Sequence, residues 1–437
     1  MNTRWRGFIR WLTPGMRVKR WILLSIVSMG ILVVAFLYVV GTDLVRIVYR
    51  TLPSTGAARY AVMAVVLALG AVGFAYALVR LVRSVAGGVS ADTRLKPSTI
   101  IYRRRVLERG PRVVALGGGT GLSTLLRGLK EVTSNITAVV TVMDDGGSSG
   151  RLREEIDVLP PGDIRNCILA LAEDETRLSD FFQYRFSAPK EFAGHSLGNL
   201  VLAGLEQATG GFDRAVEAMS HFLNIRGRVL PATLTKTHLV ATMDDGARIE
   251  GESELSSDPR RITRLSLSPS AVSPYESVLE AIAAADLIIL GPGSLFTSLV
   301  PNLLVDGIAS AIELAPAEKV LISNLMTQPG ESDGLSLGDH LVVLGEYIDL
   351  VRFDTIFVNA GPADEGLLAG YIDEAAEPVR DDLAAVNEYG LAIVRTDLAG
   401  TAEWGGKATI KHDPRKLARA LVRETHAFSI FRRERAA

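Results

Sequence analysis

Between Val113 and Arg153 the chain reads VVALGGGTGLSTLLRGLKEVTSNITAVVTVMDDGGSSGRLR, and this stretch limits the fold more than any other. Val113–Leu116 is a short apolar run, as in a buried strand. Gly117, Gly118, Gly119 and Gly121 follow at once, and Leu122, Leu125, Leu126 and Leu129 then recur at helical spacing. Ile136–Met143 is a second apolar, β-branched run, and it ends on Asp144-Asp145-Gly146-Gly147-Ser148-Ser149-Gly150-Arg151. Two loops therefore leave the carboxyl ends of what should be neighbouring parallel strands, where open α/β sheets bind ligands.

The chemistry of these loops suits an anion. Glycines let backbone N–H groups approach a phosphate, and a helix N-terminus adds positive potential. In the first loop the candidates are Gly118, Gly119, Thr120 and Gly121. In the second, Asp144, Asp145 and Gly146 can take ribose, base or a water-bridged Mg²⁺, while Ser148, Ser149 and Arg151 offer anion contacts. A tight strand-to-helix turn and a solvated polar turn would use the same residues with no ligand. Asp144 also lies about where an acidic residue follows a dinucleotide fingerprint. Here, however, the loop is GGGTG rather than G-x-G-x-x-G, so a nicotinamide oxidoreductase ranks below a nucleotide-diphosphate binder.

Similar loops recur downstream. In Leu159–Ala172 two prolines and a glycine make a turn, Asp163 reads as a helix N-cap, and Arg165 and Asn166 follow in the first turn. Phe192–Leu205 has a loop with His195, Ser196 and Asn199 ahead of an apolar helix. Leu287–Leu290 reads as a buried strand leading into Gly291-Pro292-Gly293-Ser294, then a helix with Thr297, Ser298 and Asn302. Lys319–Ser323 is another strand, and Asn324 to Gln328 leave its end. Thr355–Val358 reads as the last buried parallel strand. Thr233–Glu252 reads as a hairpin turning at Asp244-Asp245-Gly246, with no ligand.

The ends of the chain differ in charge. Residues 1–110 hold 17 Lys/Arg against 3 Asp/Glu, a balance of +14, whereas the remainder stands at −16. A domain this acidic lacks the basic face that nucleic acid demands. Cys167 is the only cysteine, so no disulfide forms within the chain, and the scattered histidines offer no zinc pattern. After a basic segment, 1–20, two runs carry no charge: 21–42 and 60–79. About 20 apolar residues span a bilayer. Neither run has a polar face, as a buried core helix would, and the first is too long for a signal peptide. A two-helix transmembrane hairpin is expected over 21–84, followed by a basic juxtamembrane linker over 85–110. Basic residues flank both ends, which places both termini in the cytoplasm and the connector outside.

The motifs Ala115–Gly121, Asp144–Leu152, Leu159–Asn166, Gly194–Asn199, Leu290–Leu304, Asn324–Gln328 and His412-Asp413-Pro414 together resemble the YvcK-like proteins, the gluconeogenesis factors, within the family of CofD, the 2-phospho-L-lactate transferase. The resemblance spans about Pro111 to Leu421, within a nucleotide-binding domain expected over 111–437. It implies an α/β, Rossmann-like, mostly parallel sheet with helices on both faces. It also implies a nucleotide-sugar ligand of the UDP-N-acetylglucosamine type, and a link between carbon metabolism, cell shape and envelope synthesis. The CofD branch instead transfers a phospholactyl group to a deazaflavin alcohol with Mg²⁺. Gly146–Arg151 and Pro160–Asn166 look like the YvcK-like branch, which favours a binding regulator over an enzyme. The expectation is thus a multi-pass membrane protein with a cytoplasmic ligand domain. Its partners are a nucleotide sugar or other nucleoside diphosphate conjugate and the membrane, with no nucleic acid. A homo-oligomer is left open.

Overall fold

The computed structural model describes residues 106–189, 192–258, 260–361, 376–382, 389–404 and 407–429, with Met29, Gly30, Val33 and Leu367 besides. The chain divides into two units, Met1–Val106 and Leu107–Ala437. Apart from Met29, Gly30 and Val33, the runs 21–42 and 60–79 lie outside the described residues, as does the linker up to residue 105. Among the described residues no single helix is long and apolar enough to cross a membrane. One bent pair, Leu295–Leu304 with Ile308–Leu314, passes on composition, but most of its apolar side chains, Phe296, Val300 and Ile308 among them, belong to the core, and Leu314 is exposed.

The second unit is built on seven parallel strands: β1 (Val113–Gly117), β2 (Ile136–Val140), β3 (Arg228–Pro231), β7 (Leu287–Leu290), β8 (Glu318–Ile322), β9 (Thr355–Asn359) and β10 (Ala392–Thr396). The inserted strands β4 (His238–Met243), β5 (Arg248–Glu250) and β6 (Ile262–Ser268) form an antiparallel sheet, and β11 (Ala399–Trp404) pairs with β12 (Lys407–His412). The large sheet runs in the order β3-β2-β1-β7-β8-β9-β10, a doubly wound arrangement that reverses between β1 and β7.

Strand alternation divides the core in two. Val114 and Leu116 of β1 face one cluster, with the inserted sheet, while Val113 and Ala115 face the other. The second cluster holds the apolar stripe of α1 (Gly119–Leu129), together with α3 (Gly162–Leu171), α6 (Phe212–Phe222) and α12 (Pro414–Glu424). The first holds α8 (Glu276–Ala283), α9 (Val300–Leu304), α10 (Ile308–Leu314) and α11 (Leu337–Gly345). Among the described residues the other α-helices are α2 (Gly147–Ile156), α4 (Glu175–Gln183), α5 (Leu197–Thr209) and α7 (Glu252–Ser257).

Several expectations change in detail. β2 stops at Val140, three residues short of Met143. Thr355–Asn359 is followed by one more parallel strand, β10. The segment after Ser294 opens as one π turn, Leu295–Leu299, before α9. Pro301 has no N–H to continue an ordinary ladder, and Leu299 and Val300 bond five residues back, to Ser294 and Leu295. The hairpin around Asp244-Asp245-Gly246 is present as β4–β5.

Candidate functional site

The loops after β1 and β7 meet where the sheet order reverses. A methyl group on Gly121 would lie 2.5 Å from the Pro292 carbonyl oxygen, and one on Gly118 would lie 2.7 Å from Asp163 Oδ2 and 3.1 Å from Ser298 Oγ. These glycines are needed because protein packs on protein. Gly119, at φ +57°, donates its N–H to Asp163 Oδ2 at 2.6 Å. Asp163 is thus not the N-cap of α3, a position held by Pro161; it crosses to the first glycine loop instead. The Thr120 carbonyl accepts the hydroxyls of Ser123 and Thr124 inside α1.

The β7 loop is likewise closed by a partner absent from the sequence motifs. Glu331 Oε1 accepts the N–H groups of Phe296 and Thr297 at 2.7 and 3.1 Å, and Oε2 takes the Thr297 hydroxyl at 3.4 Å. The chain's own carboxylate therefore occupies donors of Ser294 and Thr297, while the Gly291 N–H is taken by the Leu116 carbonyl at 3.1 Å. Asn302 is fully buried and donates to the carbonyls of Gly117 and Ser298, so it pins β1 to the β7 segment.

The loop after β2 is different. The N-terminus of α2 has Gly146 as its N-cap and no side-chain cap, and beside Gly147, at φ +48°, the space is open. The carboxylate pair is divided. Asp144 accepts the Gly146 N–H at 2.8 Å, whereas both oxygens of Asp145 accept the Glu252 and Ser253 N–H groups and so cap α7. Among the described residues no group of three or more His, Cys, Asp or Glu is arranged to hold a metal ion. With Asp145 committed to α7, the pair does not fit a Mg²⁺ site made by protein alone.

A buried polar network backs this loop. Ser148 Oγ lies 3.0 Å from His195 Nδ1 and accepts from Asn199 Nδ2 at 3.0 Å. Arg165 donates to Ser196 Oγ, to Asn199 Oδ1 at 2.6 Å and to Asn166 Oδ1 at 2.9 Å. Ser196 is the N-cap of α5. Arg151 holds the Ala193 carbonyl at 2.7 Å, fixing the loop that carries His195. Six of the expected residues are therefore assembled: Ser148, Arg165, Asn166, His195, Ser196 and Asn199.

The electrostatics here are dominated by burial. Desolvation, then the charge of Asp144, raises Asp163 to about 6. Desolvation also raises Asp144, Glu252 and Glu331, and Glu252 further feels Asp144, Asp163 and Glu331. Arg165 falls to about 10, through burial and then Arg185. Burial, then Arg151, lowers His195, so its ring is neutral at pH 7. Glu252 and Glu331 were not foreseen. Neither carries a motif, and only the fold turns Glu252 toward Asp144 and Asp163 and Glu331 toward the loop after β7.

At the ends of β8 and β9 lies a cavity of about 210 Å³, lined by Asn324, Asn359, Asp381 and backbone of Gly361 among others. Gln328 is not among its lining residues; its backbone forms the turn that carries Glu331, accepting N–H groups from Glu331 and Ser332. In His412-Asp413-Pro414, Asp413 caps α12 by accepting the Arg415 and Lys416 N–H groups, with Pro414 at the first helical position.

Residues 113–399 match the family model described as 2-phospho-L-lactate transferase CofD. A Nostoc sp. (strain PCC 7120) protein is 40% identical over 95% of this chain and 92% of its own length. The "Gluconeogenesis factor" of Bacillus subtilis (strain 168) is 45% identical over 71% of this chain and 97% of its own. A crystal structure from Bacillus halodurans superposes with a TM-score of 0.68 at 44% identity, covering 72% of this chain and all of that one. With the reversal between β1 and β7 and the loops that meet there, these matches place the chain in the CofD family, among its YvcK-like gluconeogenesis factors.

Proposed function

We propose that the domain binds a nucleoside diphosphate sugar of the UDP-N-acetylglucosamine type and acts as a regulator rather than a catalyst. The observation that carries this reading is the uncapped N-terminus of α2, open at Gly147 at the carboxyl end of β2. It presents backbone N–H groups and a helix dipole to an anion. The cavity by Asn324 and Asn359, along the same edge of the sheet, offers amide groups for a base or sugar. The regulator ties carbon metabolism to cell shape and envelope synthesis. It sits at the cell membrane, held by the uncharged runs 21–42 and 60–79, with the ligand domain in the cytoplasm. The Nostoc match covers 95% of the chain, so it reaches into that N-terminal region.

A second reading is a phospholactyl-type transferase acting on a deazaflavin alcohol. The 3.0 Å contact of Ser148 with a neutral His195 favours it, because that ring nitrogen can take a proton. Incubation with nucleotide-diphosphate donors, a deazaflavin acceptor and Mg²⁺ separates the two. A regulator returns the nucleotide sugar intact, whereas a transferase forms product that falls on Asp144→Asn.

A further inference from the structure

A cavity of about 450 Å³ lies away from these loops and runs along β3, the edge strand of the large sheet. Its walls come from α6, with Asp213, Glu217 and His221, and from Tyr275, just ahead of α8; its floor is Arg228–Pro231. β3 pairs with β2 on one side only. The Ala232 N–H bonds back to the Val140 carbonyl. By alternation Leu230 also faces β2, and Val229 turns its N–H and carbonyl outward into the slot. Pro231 has no N–H, so the edge offers one donor and two acceptors.

We infer that this slot takes an extended peptide bearing a basic side chain, from a partner protein, added as an eighth strand beside β3. The slot is flanked on both sides, like the space between helices that an inner strand occupies. Main-chain bonds to Val229 and to the Pro231 carbonyl set the register. Asp213 and Glu217, one turn apart on α6, receive a Lys or Arg side chain; Glu217 is exposed, with His221 at 3.8 Å. This inference is independent of the nucleotide-sugar reading.

The test uses the full-length chain and a fluorescein-labelled peptide, Thr-Val-Arg-Val-Lys-Thr, with a Glu-for-Arg/Lys control. The basic peptide should bind and slow amide exchange at Val229, and the control should bind at least about tenfold more weakly. Glu217→Lys, on an exposed position, should lose about tenfold, and Val229→Pro should abolish binding by removing the donor. Should Val229→Pro fail to fold, Glu217→Lys with the exchange measurement still decides. Absence of binding, equal binding of both peptides, or protection elsewhere than β3 would overturn the inference. So would a dimer of the unliganded chain that Val229→Pro dissociates, because the slot would then hold a second copy.

Discussion

Asp163 and Gly119 are 44 residues apart in sequence, yet the carboxylate of one accepts the N–H of the other at 2.6 Å. This bond ties the first turn of α3 to the glycine loop after β1. It also leaves a carboxylate buried beside Asp144, which holds Asp163 near 6 against its usual 3.8.

The sign of the pH effect follows. A carboxyl raised in the fold binds more protons when folded than when unfolded, so stability falls as pH rises through this window. The charged form costs nothing below about pH 4 and the full amount above about pH 6, roughly 3 kcal/mol. Asp163→Asn keeps an acceptor for Gly119 and should flatten this slope in denaturant titrations from pH 4 to 8. An unchanged slope would show that Asp163 titrates normally. By the same charge argument, binding of a diphosphate should tighten as pH falls from 8 toward 6, and the mutant should lose that dependence.

Arg165 joins Asn166, Ser196 and Asn199 from inside the domain. Arg165→Ala leaves buried acceptors unpaired and should cost about 3 kcal/mol. Arg165→Lys should recover little, because one ammonium cannot match the fork. Thermal unfolding checks both, and a loss under about 1 kcal/mol would mean the network is hydrated.

Two glycines should separate packing from ligand contact. Gly121→Ala forces a methyl against the Pro292 carbonyl and should destabilise the fold. Gly147→Ala meets open space, pays about 1 kcal/mol for its positive φ and should fold. Its methyl stands at the free α2 N-terminus, so nucleotide-sugar affinity should fall about tenfold. Equal effects of the two on binding would remove the α2 terminus from the site.

The glycine loops, the strands they follow and the parallel pairing of β1 with β2 could be read from sequence, because apolar runs and glycines act over a few residues. Leu287–Leu290 lies where its pattern put it. β10 could not be read: it is half-exposed and lacks a buried run. Nor could the roles of Asp145, Asp163 and Glu331, since each is defined by a partner more than 30 residues away. The same limit applied to Asn302, whose polarity suggested a ligand but which bonds two buried carbonyls.

The membrane hairpin has its own test. A reporter fused after Ala437 should be cytoplasmic, and one inserted near Ser54 should be external. Both on the same side would refute it.

The central claim is tested most directly by calorimetric titration of UDP-N-acetylglucosamine, GDP and NAD into the full-length chain. Saturable binding of the UDP-sugar, lost or weakened in Gly147→Ala and absent for NAD, is the predicted result. No heat with the UDP-sugar beside saturable binding of GDP or NAD would contradict it.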